Sequence, residues 1–219
     1  MMLEVEEKYQ ALVDAFLQVL NTVRAQQKAA GDGAPVDYRQ VEQEVAQGTA
    51  ALERAAHAAV LGTLDVDAPQ VVIEGQTYRK VMRSLGSYYT MAGAVCVERT
   101  LYRKVGERSG ATVDAISLRT GVVGDGWLPK TAEAMAWECQ RAPARESEAA
   151  SEQWQRLPYS RCAFDRVAHL VGEQYGQKRQ AVERELVETM PIPKGAHSVS
   201  VSLDRVSVPM EEPRPGPVE

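Results

Sequence analysis

HSVSVSLDRVSVP, residues 197–209, places Val199, Val201 and Leu203 on one face of an extended strand and Ser198, Ser200, Ser202 and Asp204 on the other. That period of two is the pattern of a half-buried strand. Val206 and Val208 resume it before Pro209 opens a Pro, Glu and Gly run ending at Glu219. A new sheet is therefore expected to begin here, with one carboxylate near the end of its first strand. Asp204 has two open readings. It is either a turn-starting strand-end Asp or a first metal ligand, because divalent cations assisting phosphoryl transfer need hard oxygen donors on a rigid support.

Composition narrows the setting of that strand. The 219-residue chain carries a formal charge of −5, which argues against a blanket nucleic-acid coat, so any DNA contact must come from a local cationic patch. Cys96, Cys139 and Cys162 and the three histidines His57, His169 and His197 are scattered and show no zinc-ligand spacing, as expected for reduced, buried thiols. No apolar run reaches the roughly 18 residues of a membrane span, and the acidic start MMLEVEEKYQ is no signal segment. A soluble, cytoplasmic chain is expected.

Working back toward the N-terminus, Val5, Tyr9, Leu12, Val13, Phe16, Leu20 and Val23 recur at helical steps, and Gly31 to Pro35 ends that pattern. Tyr38, Val41, Val45, Leu52, Ala56 and Val60 repeat it, with Asp37 as N-cap, to about Leu61. The two helices should pack as a hairpin, either as a plain packing element or as a self-association arm. From Asp65 the composition turns β-branched and aromatic. Strands are expected at Val71 to Ile73, Thr77 to Val81 and Val95 to Arg103, with turns at Gly75-Gln76 and Ala92-Gly93. The solvent side of this small antiparallel sheet is expected to carry Arg79, Lys80, Arg83, Arg99, Arg103 and Lys104 beside Tyr78, Tyr88, Tyr89 and Tyr102. Such a face suits phosphate and sugar contacts, and it is equally an ordinary solvated face. Ser109 to Leu128 reads as loop, and its glycines match no phosphate-binding motif.

Pro129 is placed to open a helix that runs to about Gln140. A second helix spans Arg145 to Trp154, with Ala149, Ala150 and Trp154 near one face. Leu157 to Ser160, LPYS, forms the turn into a helix from Arg161, whose buried side comprises Ala163, Val167, Leu170, Val171 and Tyr175. A short helix, a tight turn and a second helix form the layout that places a recognition helix in the major groove. Arg161, Arg166 and His169 are then the candidate contacts to bases or phosphates, with Lys178 and Arg179 further along, while Asp165 and Glu173 dilute the charge. The helical period continues to Met190, until Pro191 and Pro193 stop it.

This order of parts resembles the transposases of bacterial insertion sequences of the Kra group, relatives of the Mutator-like DDE enzymes. The resemblance rests on GSYYTMAGAVCVERTLYR (Gly86 to Arg103), on the helical block from Trp127 to Tyr175, and on SVSLDRVSVPMEEP (Ser200 to Pro213), which is similar to the strand bearing that family's first catalytic Asp. It implies RNase H-like chemistry, in which two Asp and one Glu hold Mg2+ ions that activate an attacking hydroxyl. Only the first acid carries over, to Asp204. Beyond it stand only Glu211, Glu212 and Glu219, whereas such a domain needs on the order of 100 further residues.

The expected fold is α+β and mainly helical. Its parts are a helical hairpin (1–64), a small β segment and loop (65–126), a helix-turn-helix-like DNA-binding segment (127–190) and the isolated first strand of a truncated RNase H-like domain (191–219). The expected function is that of the DNA-binding, non-catalytic part of a transposase. Its partner would be the terminal inverted repeats, contacted through Arg161, Arg166, His169, Lys178, Arg179, Arg99 and Arg103. Mg2+ is expected for the intact family and no cofactor for this chain, with a homo-oligomer possible. Two other readings stay open: a helical scaffold that self-associates through Leu3 to Leu61, and an intact enzyme joining Asp204 to Asp114 or Asp125.

Overall fold

Asp37 starts the longer of the two N-terminal helices by accepting from the backbone N–H of Arg39 at 3.1 Å and of Gln40 at 3.4 Å, satisfying donors that have no partner inside the helix. In the computed structural model, which describes residues 6–32, 35–189 and Gly195, these helices are α1 (Gln10–Gly31) and α2 (Tyr38–Thr63). They pack closely where Gly48 faces Val19, since a Cβ at Gly48 would stand 2.9 Å from a Val19 methyl. The lower part of α2 is anchored, with Leu61 buried, whereas α1 buries no residue.

A four-stranded antiparallel sheet follows, in the order β1 (Gln70–Ile73), β2 (Gln76–Thr90), β3 (Gly93–Lys104) and β4 (Val113–Asp114). The sequence reading ends β2 at Val81; the structure carries it to Thr90. There it pairs with β3 from Tyr78–Lys104 to Thr90–Gly93, with a register shift between Lys80 and Met82. Cross-strand pairing decides this, because Met82 to Thr90 has no clean local alternation of its own. The two turns, β1 and β3 otherwise follow expectation, Gly75 and Gly93 taking positive φ.

Both faces of the hairpin tip are covered. Tyr88, Val95 and Val97 pack with Leu61 of α2 and with Ile116. On the other face Tyr89 packs against a cluster of Val123, Trp127, Ala132, Met135, Leu157, Phe164 and Val167. Tyr89 stacks on Trp127 with ring centroids 4.3 Å apart, and Tyr159 meets Trp127 edge-on at 4.7 Å.

The expected loop from Ser109 to Leu128 is in fact built structure. It contains β4, the short helix α3 (Ala115–Thr120) and a strap in which Tyr89 N–H donates to Gly126 O at 2.9 Å and Leu128 N–H to Tyr89 O at 3.1 Å. Buried Ile116, Val123 and Trp127 hold it down, apolar anchors too widely spaced to show a local period. Helices α4 (Pro129–Arg141), α5 (Ala144–Trp154) and α6 (Arg161–Thr189) complete the described chain, close to their expected bounds.

The fold is α+β and mainly helical. The chain divides into two compact units, residues 1–177 and 178–219. In the second, the described residues are the end of α6, where Arg179 pairs with Glu183 at 2.6 Å, and Gly195. No helix among the described residues is long and apolar enough to cross a membrane. The strand expected at His197 to Pro209, with Asp204, lies outside the described residues.

Candidate nucleic-acid interface

The α5–turn–α6 unit is fastened to the hairpin tip. Residues Gln155 to Ser160 make the turn, two longer than LPYS, with Gln155 and Leu157 at φ 53° and 55°. Non-glycine residues hold that conformation only when their surroundings fix it. Here Leu157 N–H donates to Met91 O at 2.8 Å, and the Tyr159 hydroxyl to Thr90 O at 2.6 Å. Burial pushes the Tyr159 phenol far above its usual value, so it remains a donor at any ordinary pH. From α2, Arg54 donates to Ala92 O at 2.8 Å and Glu53 accepts a two-pronged contact from Arg156.

The Ser160 carbonyl accepts from Ala163 and Phe164 N–H at 2.8 and 3.1 Å and so opens α6. Glu148 of α5 accepts the Arg161 N–H at 3.0 Å. Phe164 and Val167 are fully buried, which turns Arg161, Cys162, Asp165, Arg166 and His169 to solvent as one exposed ridge. No ion pair among the described residues engages Arg161 or Arg166. The His169 ring nitrogen lies 2.8 Å from the Asp165 carbonyl oxygen; that hydrogen bond and the nearby Asp165 carboxylate raise its pKa. Sequence reasoning missed Phe164 as the main anchor. It also placed Tyr175 on the buried side, but that residue is 49% exposed, because α6 runs on beyond the edge of the core.

Lys178 and Arg179 do not belong to this ridge's unit; both lie on the part of α6 in the second unit. The expected single basic face of the sheet also needs correction. Tyr88 and Tyr102 are buried, and strand alternation divides the cations between two faces. Arg79, Arg99 and Arg103 fall on one, and Lys80, Arg83 and Lys104 on the other.

Arg99 is drawn inward. Its Nη1 donates to Asp114 Oδ2 at 2.8 Å, and its side chain crosses β2 at Gly86, where a Cβ would meet the guanidinium. Asp114 Oδ1 accepts from the Tyr88 hydroxyl at 3.0 Å and from Ser117 N–H at 2.7 Å, and Oδ2 also accepts from Ser117 Oγ at 2.8 Å. Four donors fill this carboxylate, which caps α3, so it has no lone pair left for a metal without breaking the network. Asp125 lines the neighbouring cleft. No group of three or more His, Cys, Asp or Glu among the described residues is placed to hold a metal ion.

No family model, curated protein or solved structure matches this chain.

Proposed function

We propose that the chain is a DNA-binding module of the insertion-sequence DDE transposase type, with the start of α6 entering the major groove. The exposed ridge of Arg161, Arg166 and His169 carries this reading. It sits at the N-terminal end of a helix whose opposite side is locked by Phe164 and Val167 to a hairpin tip. A recognition helix needs that combination of a rigid back and a polar, cationic front. The segments that resemble the transposases support it further, since Gly86 to Arg103 forms the ribbon on which the helix-turn-helix-like unit is mounted. The reading concerns binding alone, as Asp204 lies outside the described residues.

Fluorescence anisotropy with a duplex carrying the terminal inverted repeats of the parent element, and with a shuffled duplex, tests it across a salt series. Binding should weaken as salt rises. Arg161→Gln with Arg166→Gln should reduce the slope of log K against log salt by about 2, since each phosphate contact contributes about 0.9. Absence of binding at low salt, or an unchanged slope in the double variant, refutes the reading.

A second reading, self-association, is favoured by one observation. Helix α1 buries nothing and leaves Phe16, Leu17 and Val23 at 54%, 44% and 41% exposure. Light scattering of the full chain tests it, and a monomer at all accessible concentrations removes it.

A further inference from the structure

Arg79 of β2 and Arg103 of β3 are direct cross-strand partners on one face of the ribbon. Opposed residues in an antiparallel pair stand with Cβ atoms roughly 5 Å apart, and like charges there are destabilising. The neighbour of Arg79 on β1 is Gln70, which brings no negative charge to the row.

The lysines on the opposite face are provided for differently. Lys80 pairs with Asp67, and Lys104 reaches Glu107 at 3.8 Å. Arg79, in contrast, has no ion pair among the described residues. Arg103 gives Nη1 to the Arg108 carbonyl at 3.1 Å, while its Nε is shielded from solvent and without a hydrogen-bond partner. A carbonyl oxygen satisfies a donor and does not neutralise a charge. Neither guanidinium therefore has an ion-pair partner among the described residues, and the nearby Glu107 carboxylate stands against Lys104.

The backbone around them is opened. The register shift between Lys80 and Met82 leaves Val81 as a bulge beside Arg79, a feature that locally re-aims side chains. On the β3 side the chain turns at Gly106, φ 96°, with Glu107 N–H donating to Lys104 O at 3.2 Å. Between bulge and turn lies a cleft of about 220 Å3 lined by Arg79, Lys80, Val81, Arg103, Lys104 and Glu107 among others. That is smaller than the roughly 300–1,000 Å3 of pockets that enclose whole organic ligands, and it suits a single anionic group.

We propose that this cleft is a phosphate site, in which the guanidinium forks of Arg79 and Arg103 bind the oxygens of one phosphate group and the anion removes their mutual repulsion. Planar guanidinium donors match phosphate oxygens two at a time, which a lysine cannot do. The same chemistry serves free phosphate and a phosphodiester of a nucleic-acid backbone. The backbone source rests on the DNA-binding reading above, whereas the site itself does not.

The experiment uses the full chain. Arginine Nε–Hε resonances are followed by NMR while inorganic phosphate replaces chloride at constant ionic strength, and melting temperature is recorded in the same buffers. Wild type should show saturable shifts of the Arg79 and Arg103 signals and a higher melting temperature in phosphate. Arg79→Gln should abolish the phosphate-dependent rise while melting no lower than wild type in low-salt chloride, because it also removes the repulsion. Arg103→Lys, which keeps the charge without the fork, should weaken the phosphate response. A second arm measures the salt dependence of duplex binding. A slope about 1 smaller in Arg79→Gln assigns the phosphate to the nucleic-acid backbone; an unchanged slope in that variant, with the wild-type phosphate response present, assigns it to free phosphate. Loss of DNA binding in wild type with the phosphate response retained overturns the α6 reading and leaves this site standing. Equal behaviour in phosphate and chloride, with no movement of the two arginine signals, overturns the site.

Discussion

Replacing Asp114 by alanine removes at once the acceptor of Tyr88 O–H, of Ser117 N–H and Oγ–H, and of the Arg99 guanidinium. Its side chain is 6% exposed and that of Arg99 27%, so the arginine charge is left in a partly dry site with its Nε already unpartnered. Stripping one partner from a buried pair costs about 3–5 kcal/mol. The exposure of Arg99 argues for the lower end, and loss of the α3 cap adds about 1 kcal/mol. About 4 kcal/mol in total corresponds to a fall in melting temperature on the order of 10 °C for a chain of this size.

Arg99→Met should cost less, about 2 kcal/mol, because three donors still serve Asp114 and one salt bridge is lost. The double variant should then be more stable than the sum of the singles predicts, since the orphaned charge that dominates Asp114→Ala is gone. Urea titration followed by circular dichroism measures all three. A loss below about 1 kcal/mol for Asp114→Ala, or strict additivity in the double variant, would show that the network is a surface contact and not a buried joint.

Gly126 sits at φ 111°, and a Cβ there would overlap the Ser87 carbonyl oxygen. Gly126→Ala should therefore lift the Trp127 strap and destabilise by about 2 kcal/mol or more, read in the same titration together with a red shift of tryptophan emission. Protonation of His169 should strengthen duplex binding as pH falls through the imidazole range, with the midpoint above that of a free imidazole because the Asp165 carbonyl and carboxylate raise its pKa. The matching stability contribution is present below the unfolded pKa and is lost as pH rises through the raised folded one. His169→Asn should flatten the pH dependence of binding measured by anisotropy, and an unaltered profile would remove His169 from the interface.

Much of the element order was legible because it is local. Apolar steps of three and four residues mark α1, α2 and α6, and composition marks α5. Asp37 and Pro129 mark helix starts, and Gly75 and Gly93 mark the turns of the sheet. The candidate ridge of Arg161, Arg166 and His169 was legible for the same reason, since helical spacing fixes which residues face away from Val167. The second half of β2 was not, because its strand character comes from pairing with β3 and not from an alternation of its own.

By itself the sequence determined the five longer helices, the main turns, and that any cationic surface has to be local in an acidic chain. Tertiary structure alone decided what each charge meets. Neighbouring arginines on one strand have opposite roles: Arg99 is bound inward because Asp114 arrives from β4 and Gly86 clears its path, whereas Arg103 faces Arg79 with no acid in its row. Helical and strand periods are properties of one segment. A charge is neutralised or left exposed by residues that the sequence places far away, and only folding brings them within a few ångströms.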